Sequence, residues 1–256
     1  LIAFAALSMQ AAPKPNVVLI LADDLGWGDV SCYQPGNRFQ TPEIDRIARE
    51  GLRMTNAHAP HSVCSPTRYA VLTGRYCWRT FLREGVLPGY AKPLIAKRRM
   101  TLASLLKQRG YATGAFGKWH IGMGWIPVKG DPGDFHYGSQ IHASGSALAA
   151  ISRRVNHAAP ISGGPTDLGF DTFFGTPSNR GRIPVFIRDN RVVGSPLRNK
   201  SGLMKDPTMR ADTVDDLYAE EAVRFIEKAA KQKMPFFVYL PLNAIHGAVT
   251  TPREFR

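Results

Sequence analysis

Acidic residues are scarce in this 256-residue chain: 20 Asp and Glu stand against 33 Lys and Arg, a formal net charge of +13. Such a surface attracts anions, and nucleic acid, an anionic membrane or a small anionic substrate would each satisfy it. Cysteine is scarce too. Cys32, Cys64 and Cys77 are too few for a disulfide framework or a four-cysteine zinc site. No apolar run approaches the length of a bilayer span, and no internal repeat is visible. At 44% hydrophobic and 10% aromatic, the composition excludes a disordered tail and a collagen-like repeat. The length allows one large domain or two ordinary ones, with a sizeable core.

The chain begins at Leu1 with Leu-Ile-Ala-Phe-Ala-Ala-Leu, followed by Ser-Met-Gln-Ala-Ala. An apolar stretch running into small residues reads as the remnant of a secretory signal over residues 1–12, so a periplasmic or secreted protein is expected. Near the other end, Pro235 to Leu240 reads as a buried strand, with neither a closing helix nor a polar tail after it. Residues 13–256 are therefore expected to form the front portion of a longer protein.

Between the ends, strand and helix patterns alternate. Val17 to Ala22 is a continuous aliphatic run of the kind that fills a strand buried on both faces. Thr41-Pro42-Glu43 predicts a helix start, with Ile44, Ile47 and Ala48 as its apolar stripe and Gly51 as its end. Thr101 predicts the cap of a second helix through Leu102, Leu105 and Leu106, closed by Gly110, with a strand from Tyr111 to Phe116. A longer helix is predicted from near Asp212. Asp215 and Asp216 stand in its first turns, Lys228 and Lys231 near its end, and a 3.6-residue apolar period runs through Leu217, Tyr218, Phe225 and Ile226. Lys129 to Pro165, rich in Gly, Ser, His and Pro, reads as a long loop region with a weak helical stretch from Ala147 to Arg154. The alternation predicts an α/β fold with a largely parallel sheet, whose sites lie at the carboxyl ends of its strands.

Two features carry chemistry. Asp23-Asp24 directly follows the first predicted strand. Adjacent carboxylates there make either an acidic turn or a seat for a hard, oxygen-seeking cation. The second feature is Ser62-Val63-Cys64-Ser65-Pro66-Thr67-Arg68, continuing to Leu72-Thr73-Gly74. Ser65 can cap a helix that opens at Pro66, leaving Cys64 just outside an N-terminus where free N–H groups and Arg68 favour an anion. A buried structural cysteine before a helix is the other reading.

Cys64-Ser65-Pro66-Thr67-Arg68 followed by Leu72-Thr73-Gly74-Arg75-Tyr76 resembles the signature of type I sulfatases of the alkaline-phosphatase superfamily. Further segments match in order: Pro15-Asn16-Val17 to Asp23-Asp24-Leu25-Gly26, Gly110-Tyr111-Ala112-Thr113 to Gly117-Lys118-Trp119-His120, and Leu168-Gly169-Phe170-Asp171 with Phe174-Gly175. Asn243-Ala244-Ile245-His246 resembles the family's Ala-Pro-His element, with Ile245 where proline is common. Phe116 is bulkier than the residue usual before that glycine.

The resemblance implies an alkaline-phosphatase-like sandwich, a largely parallel central sheet flanked by helices, and hydrolysis of sulfate esters of glycans or aryl alcohols. It implies that a formylglycine-generating enzyme oxidises Cys64 to formylglycine, whose hydrated gem-diol attacks sulfur and later releases sulfate. Asp23, Asp24 and residue 64 would hold a divalent cation, Ca²⁺ or else Mg²⁺. Arg68 would orient the modified residue, Lys118 and His246 would grip sulfate oxygens and the leaving group, and His120 would handle the diol's protons.

The family's later Asp-Asn pair and lysine have no counterpart before Arg256. Asp189-Asn190 comes too early and reads as a hairpin turn before Val192-Val193. These residues alone are therefore expected to be inactive and poorly stable. Two rivals stand beside the sulfatase reading. One is a formylglycine-type phosphonate or phosphodiester hydrolase. The other is a non-catalytic binder of polyanions through Lys97-Arg98-Arg99 and the stretch from Arg180 to Arg191. No nucleic-acid-reading motif accompanies the basicity.

Overall fold

The computed structural model describes residues 13–34, 36–130, 145–179 and 182–247. The expected signal remnant 1–12, the front of the 129–165 loop region and Arg180 lie outside the described residues. The strands are β1 (Val17–Leu21), β2 (Ala112–Lys118), β3 (Thr172–Thr176), β4 (Phe186–Arg188), β5 (Arg191–Val193), β6 (Leu197–Arg198), β7 (Met204–Lys205) and β8 (Phe236–Pro241). The helices are α1 (Pro42–Glu50), α2 (Cys64–Thr73), α3 (Leu102–Gln108), α4 (Gly145–Arg154) and α5 (Val214–Lys231).

Six strands form the main sheet in the order β1-β8-β2-β3-β4-β5. The first four are parallel, and β4 and β5 add an antiparallel hairpin whose turn is Asp189-Asn190, as expected. The short β6–β7 hairpin stands apart.

Alternation along β8 divides the core in two. Phe237 and Tyr239 join Tyr69 and Leu72 of α2, Ala103 of α3 and Phe173 of β3 on one face. Phe236, Val238 and Leu240 join Val214, Tyr218 and Ala222 of α5 on the other. The expected α/β sheet between helical layers is therefore present. No helix among the described residues is long and apolar enough to cross a membrane.

Two local expectations are corrected. β1 is an edge strand rather than one buried on both faces: α5 covers β8, β2 and β3, and Val18 and Ile20 remain 47% and 53% exposed. The apolar stripe of α1 has no core to enter. Ile44 and Ile47 are exposed, and the Thr41 hydroxyl donates to the Asp45 carboxylate instead of capping the helix. The sequence leaves open whether Cys32 and Cys77 pair, and both are free thiols. The Thr101 cap is as expected: its hydroxyl accepts from Ser104 N–H at 3.0 Å and donates to Leu168 O at 2.5 Å.

Candidate active site

Parallel strands leave their carbonyl ends and following loops on one edge, and the motif residues gather there. Asp23 and Asp24 leave the end of β1, Lys118 closes β2, and His246 lies in the loop after β8. Cys64 is the first residue of α2, so the helix opens two residues earlier than its sequence suggests. The reason is Ser65: its hydroxyl accepts from Leu87 N–H at 3.1 Å and caps nothing.

Asp23, Asp24, Cys64 and Arg68 line one open cleft of about 480 Å³, together with His61, Ser62 and Thr67. That volume suits a small ligand or the end of a larger one. At its floor the Lys118 ammonium donates to Asp23 Oδ2 and, at 3.3 Å, to Cys64 Sγ. Arg68 Nη2 lies 3.4 Å from Asp23 Oδ1. The same guanidinium donates to Lys118 O at 2.6 Å and to Leu242 O at 3.2 Å, tying together the ends of β2 and β8. His246 Nε2 is 3.8 Å from Asp24 Oδ2 at the cleft mouth. His120 is fully enclosed beneath, its Nε2 bonded to Leu87 O at 2.9 Å and its Nδ1 without a partner among the described residues. Asp24 and His120 both adopt left-handed backbone, with φ of 62° and 55°. Side-chain-bearing residues hold that conformation only where their surroundings impose it.

The charges act on one another. Burial opposes ionisation of Asp23, but Arg68 and Lys118 outweigh it and hold the carboxyl below its ordinary range. Burial pushes the Cys64 thiol upward, helped by Asp23 and opposed by Lys118 and Arg68. Burial and then the Arg68 charge bring Lys118 down. His120 is driven well below the usual histidine value by burial, with Lys118 and Arg68 adding to it. The Leu87 bond assigns the His120 proton to Nε2, which leaves Nδ1 with a free lone pair.

Asp23, Cys64 and His246 bring one ligand atom each to within 4.8 Å of one another. Asp23 and Asp24 are the only acids lining the cleft among the described residues. Two hard carboxylates in succession suit an oxygen-seeking cation.

All the expected site residues converge on this edge. Other contributions escaped the motif reading, two of them from residues inside the motif. Ser65 and Leu87 hold His120 through successive bonds, His61 and Thr67 form the cleft wall, and the Asp215 carboxylate grips the loop carrying His246. Asp215 carried a signal in sequence, an acid in the first turn of a helix, but that signal is satisfied by the helix dipole alone.

The Sulfatase family model matches residues 15–256. Over 186 residues the chain is 38% identical to the N-acetylgalactosamine-6-O-sulfatase of Bacteroides thetaiotaomicron, a match covering 72% of this chain and 31% of that protein. Over 273 residues it is 32% identical to the N-acetylgalactosamine-6-sulfatase of Sus scrofa, covering 98% of this chain and 44% of that one. The chain thus spans less than half the length of either relative. A solved Bacteroides thetaiotaomicron sulfatase, described with the metabolism of multiple glycosaminoglycans, superposes with a TM-score of 0.75 at 27% identity, covering 95% of this chain and 54% of its own. The family match takes in every strand of the sheet and every residue that meets at its carboxyl edge, and the chain belongs to the sulfatase family.

Proposed function

We propose that the protein hydrolyses sulfate esters of glycans, with residue 64 as nucleophile after a formylglycine-generating enzyme has oxidised its thiol. The observation that carries this reading is the surroundings of Cys64: a thiol at a helix start, faced by Lys118, next to Asp23, in a cleft also lined by Arg68 and Asp24. A thiol pushed upward by burial is a poor thiolate nucleophile, so cysteine chemistry as such does not suit the site. Formylglycine supplies instead a hydrated aldehyde, with one hydroxyl to attack sulfur and a second to let sulfate depart.

The chain's own groups serve that chemistry. Arg68, Lys118 and the free N–H groups at the start of α2 bind the anionic oxygens. His120, held neutral by burial, accepts a proton at Nδ1. His246, at the cleft mouth, donates towards the departing oxygen, with Lys118 as the neighbouring cation. Asp23, Asp24 and residue 64 would hold a divalent cation, Ca²⁺ by the carboxylates' hard-oxygen character with Mg²⁺ as the alternative, which would stabilise developing charge. A Ca²⁺ shell takes about six to eight oxygens, so these residues would supply only part of it. Residues 13–256 would belong to the catalytic domain, since the family match spans 15–256. Both named relatives are N-acetylgalactosamine-6-sulfatases, which supports a sulfated glycan as substrate.

The test uses the protein from its complete gene, co-expressed with a formylglycine-generating enzyme and loaded with Ca²⁺. Mass spectrometry of the peptide around residue 64 is expected to find an aldehyde in place of the thiol. Sulfate esters of N-acetylgalactosamine are expected to turn over faster than matched phosphodiesters. Cys64→Ala is expected to cost at least about three orders of magnitude in kcat. A phosphodiester preference would move the protein to the phosphonate and phosphodiester hydrolases. An unmodified thiol, with tight glycan binding and no turnover, would make it a polyanion binder.

A further inference from the structure

His246 reaches the cleft from a loop, and a loop positions a side chain only as well as its backbone is held. Here every backbone N–H from Leu242 to His246 has a partner. Leu242 N–H donates to Leu21 O at 2.9 Å, Ile245 N–H to Asp23 O at 2.7 Å and His246 N–H to Asn243 O at 3.1 Å. Asp23 N–H returns a bond to Ala244 O at 2.7 Å, so this loop and the acidic turn after β1 fix each other. The remaining two donors go to one side chain. Asn243 N–H donates to Asp215 Oδ1 at 2.8 Å and Ala244 N–H to Asp215 Oδ2 at 2.9 Å.

Asp215 is the second residue of α5, a long helix packed across β2, β8 and β3. A carboxylate in that first turn is favoured by the helix dipole, and bonds to a charged acceptor are the stronger kind. One turn on, the Tyr218 hydroxyl accepts from Asn243 Nδ2 at 3.4 Å and donates to Thr176 Oγ1 at 3.1 Å. Thr176 is the register partner of Lys118. The start of α5 therefore braces the ends of β8 and β3 together, and neither Asp215 nor Tyr218 lines the cleft.

We propose that Asp215 is a positioning residue: its carboxylate clamps the Asn243–Ala244 backbone, and through it sets both His246 and the Asp23 main chain at the cleft. The kinetic consequence rests on the sulfate-ester reading above; the clamp itself does not. Without the carboxylate, two partly buried amides lose their acceptor and the loop loses two main-chain ties to α5.

The experiment compares Asp215→Asn and Asp215→Ala with the parent in the complete protein, by amide hydrogen exchange and by steady-state kinetics per folded molecule. Exchange at Asn243 and Ala244 is expected to rise on the order of tenfold or more, while β2 and the middle of β8 stay as in the parent. kcat is expected to fall about 10- to 100-fold with a smaller change in KM, Asp215→Asn lying between parent and Ala because one acceptor oxygen remains. Unchanged exchange at those two amides overturns the clamp, and raised exchange with unchanged kcat overturns the positioning role. A loss confined to yield or Tm, with kcat per folded molecule intact, makes Asp215 a structural residue only. Should Asp215→Ala fail to fold, Asp215→Asn decides the same points. A parent inert towards sulfate esters sinks the sulfate-ester reading, and the exchange measurement then decides the clamp alone.

Discussion

Asp23 is shared between the Lys118 ammonium and the Arg68 guanidinium, both essentially buried. Taking three charges out of water is tolerable only because each has a partner, so removing one leaves the rest less fully compensated. Lys118→Met is therefore expected to destabilise the fold by about 3 kcal/mol, measured by urea denaturation. Added Ca²⁺ should restore part of that loss, because a divalent cation on Asp23 and Asp24 replaces the missing positive charge. Denaturation curves of the variant that are identical with and without Ca²⁺ would count against the carboxylate pair as a cation seat. At this scale the motif residues were legible, because their chemistry lies in residue type and spacing. Ser65, Leu87 and Asp215 were not. Each acts through a main-chain bond to a residue distant in sequence, and no spacing rule encodes such a bond.

Among the elements, legibility followed periodicity. α5 and β8 were readable because a 3.6-residue stripe and an unbroken apolar run each admit one interpretation. β1 was found, but its surroundings were misread: an aliphatic run records what a strand can bury, whereas its place in the sheet decides what it does bury. The stripe on α1 was misread in the same way, since Ile44 and Ile47 meet solvent. The α3 cap was legible and carries more than a helix end, because the Thr101 hydroxyl also reaches Leu168 O, just before β3. Thr101→Ala should cost about 1–3 kcal/mol, combining a lost cap with buried groups left unpaired. Thr101→Ser, which keeps the hydroxyl, should lose less than half of that in the same denaturation series.

Across the whole molecule, a buried polar chain sets the response to acid. Met204 N–H donates to Ser152 Oγ, and the Tyr90 hydroxyl lies 3.1 Å from Ser152 Oγ and 2.9 Å from His157 Nε2. His157 Nδ1 faces Val155 O at 3.1 Å. These bonds join α4, β7 and the Tyr90 segment around a neutral imidazole. Burial, with the nearby Arg198 charge, lowers His157 from 6.5 to about 4. The unfolded chain therefore takes up a proton before the folded one does. Stability should fall as pH drops from about 6.5 towards 4 and level off below, by on the order of 3 kcal/mol in all from this residue. Tm measured across that range should show the slope, and His157→Gln, which carries no titrating group, should flatten it.

The last strand in the described chain, β8, is inserted between the first two. During synthesis β1 and β2 emerge with a gap between them, and the Ala244 and Leu242 carbonyls that hold Asp23 and Arg68 are made after all the other candidate site residues except His246. Position 64 thus leaves the ribosome long before the walls that enclose it can close. On the reading proposed above, that interval is when oxidation of the thiol would meet the least obstruction.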